Sequence, residues 1–194
     1  MSEPAIVRAT SDRVPALAAV LAAGFEDDPM VRWPFHDHDV RSRAEPMFAG
    51  LLTEYQRLGI VWEGGEGAGV AAWIPPGSDA GLAQANVATW PLIPPLTDDG
   101  GARYRAFWDW LEAHVPDEPH WMLDMVAVDP VQQGQGVGSA LVRHGVELAR
   151  RDGVPAFLET GNPRNVPYYE RLGLRVTGEA DAPDGGPHIW FMRS

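Results

Sequence analysis

The chain has 194 residues, a length that predicts a single domain with a core of its own. It contains 27 acidic and 15 basic residues, which give a formal net charge of −12 at pH 7. Nucleic acids and anionic membrane surfaces attract basic proteins, so this charge argues against both as partners. The sequence has no cysteine and no lysine, which excludes disulfides, thiolate zinc sites, cysteine nucleophiles and lysine Schiff bases.

Sequence features of membrane or secreted proteins are not found in the chain. No apolar run reaches the roughly 18 residues that a membrane-spanning helix needs. The first ten residues lack the basic and apolar regions of a signal peptide. We therefore expect no membrane contact and a cytoplasmic location.

Apolar periodicity, helix caps and breakers divide the first half of the chain into strands and helices. Strands are predicted at 5–9, 60–63 and 68–74, and helices at 11–25, where Ser11 is the expected N-cap, and at 39–58. The segment 27–37 contains two prolines and is expected to be irregular. A Pro-rich connection at about 75–119 holds two helix candidates, at 80–89 and 101–114.

The second half continues with alternating strands and helices. Strands are predicted at 121–128, 156–160, 174–178 and 189–192, and helices at 136–152 and 166–172. The order βααββ, then helices, then βαβαββ predicts an α/β fold with a mixed sheet. We expect one domain over 1–194, with the Pro-rich segment as a helical insert.

The most informative segment joins the strand 121–128 to the helix that follows it. Pro130 closes the strand, and glycines at 134, 136 and 138 lead into the helix. Glycine lets the backbone approach a ligand closely, and a helix start presents unpaired N–H groups with a partial positive charge. This turn therefore predicts a site for a phosphate or pyrophosphate group.

Other interpretations of the glycine turn are weaker or less specific. A Walker loop needs a lysine, which this chain lacks. In a dinucleotide fingerprint Ser139 would occupy the third glycine position, and Glu159 on the next strand would bind the ribose. However, the chain after Gly138 is short for the rest of a doubly wound sheet. A plain strand-to-helix turn without a ligand stays open.

Two segments carry a resemblance to a known family. The run from Val128 through Pro130 and Gln133 to Gly138 resembles the acetyl-CoA motif of the GNAT superfamily of N-acetyltransferases, Gln/Arg-x-x-Gly-x-Gly/Ala. About thirty residues later, the run Tyr169-Glu-Arg-Leu-Gly-Leu174 is similar to the family's Tyr-Glu-x-Leu-Gly-Phe segment. Within the superfamily, the run VPAFLETGNPRNVPYYERLG is most similar to puromycin N-acetyltransferase and its relatives.

The resemblance implies a GNAT-type fold, which is a mixed, mostly antiparallel sheet with a splayed parallel strand pair and flanking helices. It also implies an enzyme that uses acetyl-CoA as co-substrate and needs no metal. The strand around 126–128 would pair with the pantetheine arm through its backbone, and the amides of 133–139 would hold the pyrophosphate. The residues predicted to bind acetyl-CoA are Val126, Ala127, Val128, Gln133, Gly134, Gln135, Gly136, Val137, Gly138, Ser139, Asn162 and Asn165.

Two residues are predicted to carry the chemistry. By resemblance, Tyr169 protonates or hydrogen-bonds the departing CoA thiolate, and a phenol suits this task because its pKa is close to that of a thiol. Asp124 is proposed as general base because strand alternation places it on the face of Val126 and Val128, toward the cleft. Competing candidates for the base are Glu26, Asp27, Asp28, His120 and His188.

The acceptor is expected to be a cationic, partly aromatic amine that the first helix pair and the insert enclose. Aromatic residues and carboxylates suit such a ligand, and they alternate near the first helix as Phe25, Glu26, Asp27, Asp28, Trp33, Phe35 and Asp37. The predicted function is direct acetyl transfer to a small-molecule amine, antibiotic-like amines included. The alternatives are a non-catalytic acyl-CoA-binding or regulatory domain and a protein amine acetyltransferase. Trp108 and Trp110 cannot share one helix face, which leaves a homodimer open.

Overall fold

A computed structural model describes residues 4–36 and 39–194. The first elements in chain order are β1 Ile6–Arg8, α1 Val14–Gly24, α2 Pro29–Arg32, α3 Val40–Arg57, β2 Val61–Gly64, β3 Gly69–Ile74 and α4 Asp79–Thr89. They are followed by α5 Ala102–Glu112, β4 Trp121–Val128, α6 Val137–Asp152, β5 Ala156–Thr160, α7 Asn165–Glu170, β6 Arg175–Asp181 and β7 His188–Arg193. Short 3₁₀ turns join several of these elements, among them Trp90–Leu92 and Pro94–Leu96 in the connection between α4 and α5.

Most of the predicted elements are present within a few residues of their expected bounds, and two differences lie near the N-terminus. The first helix begins as a 3₁₀ turn at Ser11–Arg13, and Ser11 makes no capping hydrogen bond. The segment predicted to be irregular contains α2, because the Asp28 side chain caps it by accepting a hydrogen bond from the Met30 amide at 2.9 Å. Pro29 fits the first helical position, where its missing N–H costs nothing.

The seven strands form one sheet in the order β1-β2-β3-β4-β5-β7-β6. Every neighbouring pair is antiparallel except β4 and β5, which are parallel. These two strands pair only at Trp121 with Ala156 and at Met122 with Phe157. Beyond this point they diverge and leave a gap in the sheet. The predicted mixed sheet with a splayed parallel pair is therefore confirmed.

Helices cover both faces of the sheet. On one face, α6 approaches so closely that a Cβ at Gly145 would overlap the Trp73 ring, whose Nε1 donates to the Leu141 carbonyl at 3.1 Å. On the other face, a Cβ at Gly24 of α1 would lie 2.7 Å from the Ala127 Cβ. The core therefore lies in two layers, one on each side of β3 and β4.

The segment between β3 and β4 forms an insert over the face that carries α1 and α3. Arg105 of α5 packs on the 3₁₀ turn that follows α4, with its guanidinium 3.8 Å from the ring centroid of Trp90. Trp110 packs against Phe107 and His114, whereas Trp108 faces the cavity described below. The homodimer stays a prediction. Within the described part of the chain, no helix is both long and apolar enough to cross a membrane.

Candidate active site

A cavity of about 1620 Å³ runs along β4 from the insert to the start of α6. It is lined by α1, α2, α3, both helices of the insert, the splayed ends of β4 and β5, and α7. Its aromatic lining consists of Phe25, Phe48, Tyr55, Trp90, Tyr104, Trp108, Tyr168 and Tyr169. The cavity therefore joins the splay and the glycine turn to a space between the helices.

The glycine turn presents open backbone to this cavity. Gly134 and Gly136 have φ angles of +81° and +85°, a region that favours glycine. A Cβ on either residue would meet no atom within 4 Å, so the space beside them is free. Gly138 is different, because a Cβ there would lie 3.1 Å from the Tyr168 hydroxyl. The turn leaves room for a ligand at its first two glycines and packs tightly at the third.

The structure brings almost all of the predicted acetyl-CoA-binding residues to the cavity. The lining includes Val126, Ala127, Val128, Gln133, Gly134, Gly136, Val137, Gly138, Ser139, Asn162 and Asn165. Gln135 is exposed and does not line it. The amides in the first turn of α6 have no partner within the helix, as at any helix start. Parted strands, open glycines and free amides together fit the elongated, anionic acetyl-CoA.

The two asparagines fix the loop that follows β5. The Asn162 Oδ1 accepts a hydrogen bond from the Arg164 amide at 3.1 Å, and the Asn165 Nδ2 donates to the Thr160 Oγ1 at 3.1 Å. Both side chains are therefore engaged within the protein. They shape the edge of the cavity where β5 leads into α7.

Tyr169 is buried near the C-terminal end of α7, with 7% of its surface exposed. Burial raises the pKa of its hydroxyl above the ordinary value of 10.0, and the nearby Tyr168, Asp28 and Glu159 raise it further. Such a phenol keeps its proton throughout the physiological pH range. Chemically it is a proton or hydrogen-bond donor, never a base.

Asp124 lines the cavity, as expected, but it does not share a face with Val126 and Val128. Ala72 pairs with Met125 but Trp73 pairs with Leu123, so Asp124 is an extra, unpaired residue in β4. Such a bulge breaks the alternation of side chains along a strand. The expectation that Asp124 shares a face with Val126 and Val128 is therefore wrong. Val128 faces α6, where its Cγ2 approaches Gly138.

Asp124 lines the cavity and lies near Tyr55 of α3 and Tyr104 of α5. Burial raises the pKa of its carboxyl to about 6, and hydrogen bonding from the Tyr55 hydroxyl partly offsets this rise. A carboxyl with this pKa is mostly ionised at pH 7 and can accept a proton. Its electrostatic surroundings thus suit a general base better than those of an exposed aspartate.

Glu159 lines the cavity, which the sequence does not predict. The sequence offered it only as a ribose ligand, whereas β5 places it on the side of the sheet that carries Asp124. Its Oε2 atom is buried and has no hydrogen-bond partner among the described residues. Burial, with a further contribution from Asp124, raises the pKa of its carboxyl to about 8. The only sequence signal is an acidic residue directly after the apolar residues Ala156, Phe157 and Leu158 of this strand.

The competing candidates for the base are separated by their positions. Asp28 lines the cavity, and burial raises the pKa of its carboxyl to about 6 despite backbone hydrogen bonds from Met30 and Val31. Asp27 also lines the cavity, but its side chain is 97% exposed. His120 lines the cavity, with its Nδ1 2.8 Å from the Glu118 carbonyl. The candidates outside the lining are Glu26 and His188.

The predicted acceptor aromatics are only partly at the cavity. Phe25 lines it, whereas Trp33 packs on Phe107 and Phe35 packs near Tyr104 in the core. Asp37 lies outside the described residues. Most of the aromatic side chains at the cavity come instead from α3 and the insert. The sequence does not predict them, because their position depends on how distant segments pack.

The cavity lining is strongly acidic. Only two arginines, Arg105 and Arg164, and one histidine, His120, contribute to the described lining. Nine carboxyl side chains oppose them, namely Asp27, Asp28, Asp79, Asp109, Glu112, Asp117, Glu118, Asp124 and Glu159. Among residues 4–36 and 39–194, no group of three or more metal-ligating side chains is placed to hold a metal ion. None of these carboxyls lies within 126–139, so the field favours a cationic ligand in the part of the cavity away from the glycine turn.

Comparison with known proteins assigns this architecture to a family. Residues 25–174 match the acetyltransferase (GNAT) family. The chain is 29% identical over 171 residues to the uncharacterized N-acetyltransferase C550.08 of Schizosaccharomyces pombe, covering 81% of this chain and 68% of that protein. It is 33% identical over 84 residues to the peptidyl-lysine N-acetyltransferase YjaB of Salmonella typhimurium, covering 40% of this chain and 57% of that protein.

A solved structure agrees with this assignment over nearly the whole chain. The crystal structure of a histone acetyltransferase HPA2 and related acetyltransferase from Corynebacterium glutamicum superposes with a TM-score of 0.69 at 27% identity. The match covers 99% of this chain and 96% of that one. The splayed sheet, the glycine turn and the family match lead to one conclusion: the chain belongs to the GNAT family of acetyl-CoA-dependent N-acetyltransferases.

Proposed function

We propose that this acetyltransferase transfers acetyl directly from acetyl-CoA to the amine of a small molecule with an apolar or aromatic body. The observation that carries the proposal is the composition of the cavity beside the splay. Its walls are aromatic side chains from α3 and the insert, and its floor holds the buried carboxyls of Asp124 and Glu159. This combination suits an ammonium group attached to an apolar body.

Acetyl-CoA would be held by the residues around the splay and the glycine turn. The backbone of 126–128 lies at the open edge of β4, where a pantetheine arm would pair as a further strand. The amides of 133–139, apart from that of the outward-lying Gln135, would hold the pyrophosphate at the start of α6. The bound co-substrate supplies an activated acetyl thioester. The protein supplies orientation and the control of two protons.

Asp124 and Tyr169 would handle those protons. The acceptor enters as an ammonium and must lose a proton before its nitrogen can attack, and the ionised Asp124 carboxylate is the group that takes it. The departing sulfur needs a proton or a strong hydrogen bond, and the neutral Tyr169 phenol provides it. The raised pKa of Tyr169 ensures that the hydroxyl is protonated at the start of each cycle. The absence of cysteine agrees with direct transfer rather than an acyl-enzyme.

An aromatic antibiotic such as puromycin belongs to the substrate class that this cavity would accept. The run VPAFLETGNPRNVPYYERLG, whose residues resemble a segment of puromycin N-acetyltransferase and its relatives, spans β5 and α7 and carries both Glu159 and Tyr169. The run therefore contributes to the acceptor side of the splay as well as to the donor side. This supports an antibiotic-like amine as the first acceptor to test.

A protein lysine is the second candidate acceptor. It is favoured by the similarity to the peptidyl-lysine N-acetyltransferase YjaB. A lysine side chain also presents an ammonium on an apolar stem. It would, however, leave most of the aromatic wall of the insert without a contact.

A comparison of acceptors tests the proposal. Release of the CoA thiol is followed with puromycin, with 2-phenylethylamine and with a lysine-containing peptide whose N-terminus is blocked. We expect kcat/KM for at least one aromatic amine to exceed that for the peptide by tenfold or more. Turnover of the peptide alone would instead support a protein acceptor. Acetyl-CoA binding without turnover of any amine would support a non-catalytic binding domain.

A further inference from the structure

Glu159 has a buried carboxyl oxygen that forms no hydrogen bond with any described residue. Its Oε2 atom has no solvent exposure and no hydrogen-bond partner among the described residues, and yet the residue lines the cavity. An unpaired buried carboxyl oxygen costs folding free energy, so proteins rarely keep one without a reason. Neither of the proton-transfer roles proposed above uses it.

The position of Glu159 follows from the end of the pairing between β4 and β5. The last pair is Met122 with Phe157, whose side chains pack on the same side of the sheet. Glu159 is two residues further along β5, so it returns to that side. Asp124 is likewise two residues after Met122, so it lies on the same side, and it acts electrostatically on Glu159. Both carboxyls therefore stand at the gap between the strands.

Among residues 4–36 and 39–194, the titratable groups that act on Glu159 provide no positive charge. They are Asp124 on β4, Tyr169 on α7 and, beyond this tyrosine, Asp28 at the start of α2. Asp124 has Tyr55 and Tyr104 as neighbours, which add hydroxyl groups and aromatic rings. The pair of carboxyls thus lacks the arginine or histidine that usually accompanies buried acids. A ligand can supply the missing cation.

We propose that Glu159 and Asp124 together bind the ammonium group of the acceptor, and that Glu159 selects acceptors that carry a positive charge beside an apolar or aromatic body. This inference rests on the proposed function, because it names the residue that recognises the acceptor of that reaction. Glu159 is a specificity-determining residue here, whereas Asp124 also takes the proton. The aromatic rings of Tyr55 and Tyr104 line the way to the pair and can face the cation.

The ionisation of the pair gives the inference a pH signature. Asp124, with a carboxyl pKa of about 6, is ionised first, and Glu159, with a carboxyl pKa of about 8, follows. Near neutral pH the two groups together carry roughly one negative charge. A permanent cation should therefore bind more tightly as the pH rises through both values, since each ionisation adds a negative charge beside it.

The test is direct binding of a cation that can be neither acetylated nor deprotonated. The probe is 2-phenylethyltrimethylammonium, compared with its neutral isostere, in which a tert-butyl group replaces the trimethylammonium group. Binding to the full chain is read from tryptophan fluorescence, because Trp90 and Trp108 line the cavity. In the wild type we expect the cation to bind at least tenfold more tightly than the isostere at pH 8.5. We also expect its affinity to fall severalfold between pH 8.5 and pH 6.5.

Two variants assign this preference to Glu159. Glu159→Gln should bring the affinities for the cation and the isostere within about threefold of each other and remove the change between pH 6.5 and 8.5. Glu45→Gln, at an exposed position on α3, is the matched control and should behave as the wild type. Acetyl-CoA affinity and thermal melting should show that both variants are folded. If Glu159→Gln does not fold, the pH dependence of cation binding by the wild type is the test. A cation affinity that does not fall between pH 8.5 and pH 6.5 would then overturn the inference.

The outcomes separate this inference from the proposed function. Equal binding of cation and isostere in the wild type, or a cation preference unchanged by Glu159→Gln, would overturn the role of Glu159 even if amines are acetylated. Binding of neither molecule would overturn it as well. A cation preference that depends on Glu159, found without turnover of any small amine, would uphold the inference and remove the proposed function.

Discussion

The carboxyl groups of Asp124 and Glu159 face the same side of the sheet, each two positions beyond the last pair that joins β4 to β5. Burial is the largest cause of the raised carboxyl pKa of both residues. The negative charge of Asp124 raises the pKa of Glu159 further. Two acids are thus held at the gap with pKa values of about 6 and about 8. One is ionised and one protonated at neutral pH, which gives them different tasks.

The ionised member of the pair should control the pH dependence of turnover. We expect kcat for an aromatic amine to fall as the pH drops below about 6, because protonated Asp124 cannot take the proton of the acceptor. Asp124→Asn should lower kcat about a hundredfold and remove this acidic limb. The measurement is kcat against pH for both proteins. An acidic limb that persists in the variant would assign the base to another group, with Asp28 as the next candidate.

Removal of the Tyr169 hydroxyl should affect the chemical step and not the binding of acetyl-CoA. Tyr169→Phe is expected to lower kcat by about two orders of magnitude, because the sulfur would leave without its proton donor. The dissociation constant of acetyl-CoA should change less than threefold, as measured by calorimetry.

Tyr168→Phe is the control for this tyrosine. Its hydroxyl accepts a hydrogen bond from the Ser139 Oγ at 3.4 Å beside the glycine turn, away from the carboxyl pair. We expect a small effect on kcat. If the two variants lost activity equally, the separate role of Tyr169 would be wrong.

The open glycines should be required for acetyl-CoA affinity. Gly136→Ala places a methyl group in the free space beside the turn and should weaken acetyl-CoA binding tenfold or more. Gly153→Ala, at the other end of α6, is the matched control, since its φ of +70° is similar and its Cβ would also meet no atom within 4 Å. Both variants should lose about 1–2 kcal/mol of stability from the left-handed backbone. Only the first should lose affinity, which calorimetry and thermal melting can separate.

The buried, unpaired carboxyl of Glu159 should lower the free energy of unfolding at neutral pH. Its folded-state pKa of about 8 lies above the ordinary value of 4.5, so the folded protein binds more protons than the unfolded chain between these pH values. The free energy of unfolding therefore falls as the pH rises through this window, by an amount on the order of 3 kcal/mol at pH 7.

Glu159→Gln removes this ionisation penalty but buries an amide that needs its own partners. We expect a net gain of about 1–2 kcal/mol at pH 7.5, seen as a rise in Tm of roughly 3–6 °C. The gain should shrink toward pH 4.5, where the carboxyl is largely protonated in both states. Melting curves at the two pH values test this, and a lower Tm for the variant at pH 7.5 would contradict it.

Much of the donor side of the site could be predicted from the sequence. The strands 121–128 and 156–160 have the predicted bounds, because apolar runs closed by Pro130 and by the glycine after Thr160 define them locally. The glycine turn was recognisable for the same reason, since its geometry depends on consecutive residues. The expectation that Asp124 shares a face with Val126 and Val128 is wrong, because the bulge between them depends on pairing with β3 and cannot be recognised from the sequence of β4.

The acceptor side was less accessible to sequence reasoning. The meeting of Asp124 and Glu159 arises from the register of two parallel strands, and the helix between these strands separates the two residues by thirty-five positions. Trp33 and Phe35 were expected at the acceptor pocket, but their rings pack into the core with Phe107 and Tyr104. Local composition gives the kinds of side chain available, whereas packing decides which of them reach the cavity.

The path of the insert has a consequence for how this protein can diverge. The segment departs after Ile74 and returns before Met122, and these two residues are paired neighbours in the sheet. A segment whose ends are adjacent can be exchanged for another of different length without moving the strands to which it is attached. The insert that forms the acceptor wall can therefore change in length and sequence during evolution. A new amine specificity can arise in this way while the acetyl-CoA-binding residues stay unchanged.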